Sequence, residues 1–204
     1  MTARTPATLV ITGWGGQKLD MDYACAAAIA LRAIPKAEIV ATSKRRLPEL
    51  LAACAAQSPR PYGRIVILGV SPKPGLASLL NAFQALAAKK VKLTWINAFH
   101  LPPYLHDPIA DYAAVHSGDS VSLTEAAAEF FKKDCADLLP LLDPAVTPPA
   151  DFRTPEAYPL LVKAVQHRHR LMQDDTAVPD AVRAIAASKP LTHAQKNMCD
   201  FYLT

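Results

Sequence analysis

The chain has 204 residues, 51% hydrophobic and 20% charged, with a formal net charge of +4, a balance typical of a globular protein with a sizeable core. Its longest apolar run, residues 23–31, is far shorter than the roughly 20 residues that a membrane-spanning helix needs. No signal peptide is recognisable at the N-terminus, so we expect a cytoplasmic protein without membrane contact.

Short buried strands alternate with helices over the first hundred residues. Four apolar, β-branched runs are expected to form strands, at 7–12, 37–42, 64–68 and 91–96. Three stretches rich in Ala and Leu are expected to form helices, at 21–32, 48–57 and 75–90. This alternation indicates an α/β domain with a mostly parallel sheet covered by helices on both faces.

In such a sheet, ligands bind beyond the carboxyl ends of the strands. The loops that follow the four strands are therefore candidate sites, at 13–22, 43–47, 69–74 and 97–108. An edge strand is expected at 112–116, and a Ser122–Glu125 capping box predicts a helix that runs to about residue 139.

The second half of the chain predicts a separate helical part. The α/β domain is expected to cover residues 1–143, and a proline-rich stretch at 144–155 is predicted to be a linker. A helical C-terminal extension is expected at 156–204, with three helices at about 155–172, 179–187 and 194–203.

The charge is divided unevenly between the two halves. Residues 1–100 carry 13 basic and 4 acidic side chains, whereas residues 101–204 carry 9 and 14. A basic half favours an anionic partner such as a phosphate, a nucleotide or a nucleic acid. Lys44, Arg45 and Arg46 follow the second strand and precede a helix, where they could bind a phosphate group. A solvated basic loop is the alternative.

Two carboxylates, Asp20 and Asp22, follow the first strand and open the first helix. At i and i+2 in extended backbone they point to one side, and Mn²⁺ or Mg²⁺ prefers such oxygen ligands. The same residues also suit a purely structural role, with Asp20 as an N-cap and Asp22 as a favourable acid in the first turn.

The segment 19–28, with its D-x-D followed by a helix of small residues, resembles the first motif of the DHH phosphoesterase superfamily. The order of strands and helices over residues 7–140 is similar to that superfamily as well. The resemblance implies two metal ions, usually manganese, that activate water against phosphodiesters, polyphosphates or pyrophosphate.

The later family motifs differ in this chain. The aspartate that the family carries after the third strand falls at Gly69. Where the family has its DHH triplet after the fourth strand, this chain has Asn97, Ala98 and Phe99. A two-metal site needs several anionic or imidazole ligands within about 4 Å of both ions, so other residues would have to replace the missing ones.

His100 and Asp107, with His106 beside them, lie on the loop after the fourth strand and are the candidate substitutes. The predicted metal ligands are therefore Asp20, Asp22, His100 and Asp107, with Mn or Mg as the cofactor. Each of the loop residues could equally be an ordinary solvated side chain.

The sequence leaves three functions open. The first is a divergent DHH-like metal-dependent phosphohydrolase, active or catalytically degenerate, whose catalytic residues are unassigned. The second is a non-catalytic DHH-like protein that binds an anion or a partner. The third is an unrelated doubly wound nucleotide-binding protein in which the D-x-D is only a helix cap. The expected ligand carries phosphate: a nucleotide, an oligonucleotide or a polyphosphate.

Overall fold

The computed structural model describes residues 7–13, 21–58, 61–73, 75–143, 152–172 and 176–203. It confirms the predicted α/β class, with one five-stranded parallel sheet between two layers of helices. Among the helices in these ranges, none has the length and apolar character needed to cross a membrane.

The five strands lie in the order β2-β1-β3-β4-β5, and every neighbouring pair is parallel. Their bounds are β1 (Ala7–Gly13), β2 (Glu38–Thr42), β3 (Tyr62–Leu68), β4 (Lys92–Asn97) and β5 (Ala113–Ser117). Successive side chains point to opposite faces: Val10 and Val66 belong to one hydrophobic core, and Ile11 and Ile67 to the other. Both faces are buried, which explains why the strands are continuously apolar.

Five helices cover the two faces of the sheet. They are α1 (Met21–Ala33), α2 (Leu47–Ala56), α3 (Leu76–Ala88), α4 (Pro103–Ala110) and α5 (Leu123–Phe131). The buried side chains of α2, α3 and α4 share a core with one face of the sheet, and those of α1 and α5 share a core with the other. The predicted edge strand is confirmed as β5.

Two local predictions were wrong. The segment 97–108 was expected to be a loop throughout, but α4 begins at Pro103, and the N–H groups of Leu105 and His106 donate to the Pro102 carbonyl. A proline in the first turn loses nothing by lacking an N–H. The helix expected to reach residue 139 ends at Phe131, because Lys132 adopts a left-handed conformation with φ 53°, a common way to end a helix.

Three further helices follow, α6 (Tyr158–Met172), α7 (Ala177–Ala186) and α8 (His193–Leu203). Helix α7 packs against α1 and β2, and α8 packs against α6. Residues from these helices belong to the same hydrophobic core as α1. Most of the predicted linker lies outside the described residues, so the division of the chain at 144–155 stays a prediction.

Helix α1 is enclosed by protein on all sides. Its residues 24–30 are fully buried, and five of the seven are alanine. Alanine side chains let the sheet, α5 and α7 approach the helix axis closely, and a helix that is apolar all round is a buried one.

Arg32 in the last turn of α1 joins this buried helix to the end of α7 and to the turn that contains Asp137. Its guanidinium donates to both carboxylate oxygens of Asp137, at 2.8 and 2.6 Å, and to the Ala186 carbonyl at 3.0 Å. The hydrogen bond from Arg32 lowers the pKa of the Asp137 carboxyl below its ordinary value. The bidentate geometry is the strong form of an Arg–carboxylate pair.

Candidate ligand-binding edge of the sheet

The carboxyl ends of all five strands meet at one edge of the sheet. The register pairs Gly13 with Thr42 on one side, and Asn97 with Ser117 on the other. We call this the carboxyl edge. From β1, the next strand along the chain lies on one side, at β2, and the later strands β3 to β5 lie on the other. The point between β1 and β3, where the direction of the strand order reverses, is where ligands bind in doubly wound sheets.

The ring of Tyr23 lies against the ends of β1 and β3 at this reversal point. A Cβ built on Gly13 would come within 2.7 Å of the ring, and one built on Gly69 within 2.6 Å. The Tyr23 hydroxyl donates to the Gly69 carbonyl at 3.1 Å. The backbone carbonyl of Tyr23 accepts from the Thr12 hydroxyl at 3.2 Å. The chain's own tyrosine therefore fills the space between the two strand ends.

Gly69 is required at its position for two separate reasons. Its φ of +65° is left-handed, and its hydrogen atoms face the Tyr23 ring and a Leu123 methyl, which an added Cβ would approach to 2.5 Å. A side chain here would be strained in its backbone and would clash with its neighbours. This is the position where the family resemblance implies an aspartate.

Asp22 holds the start of helix α5. Its two carboxylate oxygens accept from the backbone N–H groups of Leu123 and Thr124, both at 2.8 Å. One of them also accepts from the Thr124 hydroxyl at 2.7 Å. The first N–H groups of a helix have no partner within it and carry partial positive charge, so a carboxylate is a favourable cap.

Two other predicted metal ligands, His100 and Asp107, each pair with a different side chain. His100 pairs with Asp119, with 3.4 Å between Nε2 and Oδ1, and Asp107 lies in α4 beside His106, with 3.0 Å between Oδ1 and Nδ1. The side chains of His100, Asp119 and Asp107 are largely exposed, and that of His106 is half-buried. Asp20 lies outside the described residues.

The described residues do not assemble the ligands that a two-metal centre requires. Within the described ranges, no group of three or more His, Cys, Asp or Glu side chains is placed to hold an ion. Both oxygens of Asp22 already accept N–H bonds, which reduces their availability to a cation. The assignment of Asp20, Asp22, His100 and Asp107 to a metal stays a prediction.

Three predicted ligand-binding cations, Lys44, Arg45 and Arg46, are exposed on the turn between β2 and α2. In the described part of the chain none of their side chains has an ion-pair partner. The N–H groups of Arg46 and Leu47 both donate to the Ser43 carbonyl at 3.0 Å, and the next residue is a proline without an N–H. A phosphate here would therefore be held by side chains more than by the helix terminus.

A fourth cation, Lys73, extends this basic region toward β4. Its ammonium group contacts the hydroxyl of Tyr104 and lies 4.5 Å from the centre of the Tyr104 ring, a cation–π geometry. Gly75, two residues further on, lies next to Pro48 at the start of α2. The loops after β2 and β3 are therefore neighbours. At the same edge, the Phe99 side chain, which follows β4, is 72% exposed.

Sequence reasoning missed both Tyr23 and the role of Thr124. The capping box at Ser122 was predicted, and the Glu125 N–H donates to the Ser122 hydroxyl at 3.1 Å. The second cap on the same helix comes from Asp22, which is 101 residues before Leu123. Such a distant contact produces no pattern in the sequence around either residue. Glycines at the ends of two strands, Gly13 and Gly69, were the available signs of a close approach.

No protein-family model matches the chain, and no curated protein does so either. Among solved structures, CDC45 from Entamoeba histolytica is similar, with 10% identity and a TM-score of 0.46 over 89% of this chain and 34% of that one. An uncharacterized protein from Helicobacter pylori G27 is similar with 12% identity and a TM-score of 0.47, over 97% and 68%. The chain thus spans about a third of the CDC45 structure. Likenesses at this level assign neither a family nor a function.

Proposed function

We propose that this chain is a divergent DHH-like domain that binds a phosphate-bearing ligand at the carboxyl edge without hydrolysing it. The observation that carries the proposal is the Tyr23 ring, which occupies the space between the ends of β1 and β3. A catalytic centre at that point would need this volume for ions, water and the scissile phosphate.

Support for the family comes from the order of elements and from the D-x-D at Asp20 and Asp22. The parallel sheet with alternating helices agrees with the layout that the resemblance implies. Against catalysis stand the altered positions Gly69, Asn97 and Ala98, because each lost ligand removes both charge and geometry from a metal site.

Support for an anionic ligand comes from the exposed cations at the same edge. Lys44, Arg45, Arg46 and Lys73 all follow the carboxyl ends of strands. The described part of the chain gives these four side chains no carboxylate partner, so their charge is available to a ligand. A nucleotide, an oligonucleotide and a polyphosphate share the phosphate chemistry that such cations bind.

Hydrolysis is the first test. With manganese or magnesium added, we expect no turnover of bis(p-nitrophenyl) phosphate, of short oligonucleotides or of pyrophosphate above that of the Asp22→Ala variant. The reason is the missing ligand set around Asp22. A manganese-dependent rate within the usual enzymatic range of about 1–1000 per second, lost in Asp22→Ala, would contradict the proposal and favour a phosphohydrolase.

Ligand binding is the second test. Replacing Arg45 and Arg46 with alanine should weaken the binding of a labelled oligothymidylate, ATP or tripolyphosphate by about tenfold, which corresponds to two modest charge-assisted contacts. Binding is measured by fluorescence anisotropy or calorimetry. Stability should change by no more than about 0.5 kcal/mol, as for other exposed substitutions.

The matched control removes two exposed lysines from the opposite, amino edge of the same sheet, Lys36 and Lys92. This double variant has the same net charge as the Arg45/Arg46 variant. If both double variants weaken binding equally, the ligand responds to net charge alone and the site assignment is wrong. Equal affinity of the Arg45/Arg46 variant and the unaltered protein would reject the site as well.

A further inference from the structure

A cavity of about 750 Å³ lies between α1, α6, α7 and α8. It exists because short side chains line the facing surfaces of α7 and α8, among them Ala177, Ala184, Ala186 and Ala194. The cavity is partly open to solvent, and alanine methyl groups are too short to close it. Arg32 at the cavity and Asp22 at the carboxyl edge are ten residues apart on α1, which is about 15 Å of helix. The cavity is therefore separate from the proposed ligand site.

The walls of the cavity are held in place by hydrogen bonds. The Tyr158 hydroxyl bonds to the carbonyls of Lys189, at 2.7 Å, and Ala184, at 3.2 Å. The Gln195 side chain accepts from the Thr192 N–H at 2.9 Å, as in a capping box, and donates to the Asp180 carbonyl at 3.3 Å. These contacts join α6, α7 and α8 around the space, so the cavity is preformed.

The cavity combines an apolar interior with a basic rim. Leu31, Leu161 and Met198 are among its apolar lining, and the first two are at most 6% exposed. The lining also contains four cations, Arg32, Arg168, Arg183 and Lys189, and a single carboxylate, Asp180.

Not all of these cations are available to a ligand. Arg32 is engaged by Asp137, and Arg183 pairs with Asp180 at 3.0 Å. The exposed Lys189 side chain has no ion-pair partner among the residues that the structure describes, although its carbonyl is fixed by Tyr158. The rim therefore retains positive charge next to apolar surface.

We propose that this cavity binds a small amphipathic anion, a carboxylate or phosphate group carried on an apolar body. Its volume falls within the range of about 300–1,000 Å³ that is usual for small-molecule sites, which are mostly apolar with a few placed polar groups. The apolar body lies against Leu31, Leu161 and Met198, and the anionic group lies at Lys189. The site is independent of the function proposed for the carboxyl edge.

The test is calorimetric titration of the full chain with decanoate and decyl phosphate, below the concentrations at which they form micelles. Both should bind with one equivalent per chain. Two control ligands should each bind at least about tenfold more weakly, a difference of about 1.4 kcal/mol. Decylammonium reverses the charge of the head group, and inorganic phosphate lacks the apolar body.

Two variants, each paired with a control variant, test whether binding occurs in the cavity. Ala184→Phe fills the cavity and should abolish binding, whereas Ala53→Phe on the exposed side of α2 should leave it unchanged. Lys189→Glu should weaken decanoate binding about fivefold, the upper end of the effect of an exposed charge, whereas Lys163→Glu, exposed on α6 away from the lining, should not. If Ala184→Phe fails to fold, the comparison of Lys189→Glu with Lys163→Glu still tests the proposal.

The proposal is overturned if decanoate and decylammonium bind equally, if Lys163→Glu has the same effect as Lys189→Glu, or if a folded Ala184→Phe variant binds as before. Co-sedimentation with phosphatidylglycerol vesicles distinguishes the two sources of such an anion. Vesicle binding that depends on Lys189 supports a lipid ligand, and its absence together with decanoate binding supports a free small molecule.

Discussion

Gly69→Asp, which would restore the aspartate of the family pattern, is expected to lower the free energy of unfolding by about 2–4 kcal/mol. A left-handed conformation costs an aspartate about 1 kcal/mol, the low end of the usual cost, because its short polar side chain can hydrogen-bond locally, and forcing atoms into a packed site adds about 1–3 kcal/mol. The added Cβ would lie 2.5 Å from a Leu123 methyl and 2.6 Å from the Tyr23 ring. Urea denaturation followed by circular dichroism measures the change.

Gly118→Asp is the matched control, since a Cβ at Gly118 has no atom within 4 Å and its φ is not in the left-handed region. It should change stability by no more than about 0.5 kcal/mol. In a Tyr23→Ala background, Gly69→Asp should cost less than in the native chain, because one of the two clashes is removed. Equal costs in both backgrounds would mean that the ring does not occupy this space.

Asp22→Ala is expected to destabilise the protein by about 2–3 kcal/mol. The substitution removes a carboxylate that accepts two backbone N–H bonds and a hydroxyl at the start of α5. Hydrogen bonds to a charged group contribute about 1.5–3 kcal/mol, and the N–H groups of Leu123 and Thr124 lose their partner. The measurement is again the free energy of unfolding in urea.

Asp119→Ala provides the comparison, because the Asp119 side chain is 95% exposed and pairs with a surface histidine. Its effect should stay within about 0.5 kcal/mol. If Asp22→Ala leaves stability unchanged but abolishes manganese binding, the carboxylate serves a metal and the predicted ligand role is correct. If stability falls and manganese has no effect on either protein, the capping role accounts for Asp22.

The strands and helices around the sheet could be predicted because their signals are local. Val10, Ile11 and Val66 lie in short apolar runs, and the stretch at 21–32 is rich in alanine; both patterns depend only on near neighbours. The end of α5 could not be predicted, because the stop at Lys132 rests on a left-handed backbone in a residue type with no preference for it. Helix α4 was missed because its prolines are also typical of loops.

The candidate site was less predictable, since its contacts join distant parts of the chain. The sequence placed Lys44, Arg45 and Arg46 after a strand, and the structure has them exposed on that turn. It also offered two roles for Asp22, a metal ligand and an acid in the first turn of its own helix. The contact found is a third one, a cap on α5, and the two partners are more than a hundred residues apart.

The sequence by itself determined the α/β class, the alternation of strands and helices, and the loops that follow the carboxyl ends of the strands. The spacing of hydrophobic residues and the composition of a segment indicate which of its faces is buried. Strands that are buried on both faces indicate a parallel sheet. Only the tertiary structure decided what lies at the carboxyl edge. The packing of Tyr23 against Gly13 and Gly69, and the cap that Asp22 makes on α5, arise when β1, β3 and the two helices are brought together. Such contacts depend on distances between segments, which neither spacing nor composition along the chain can encode.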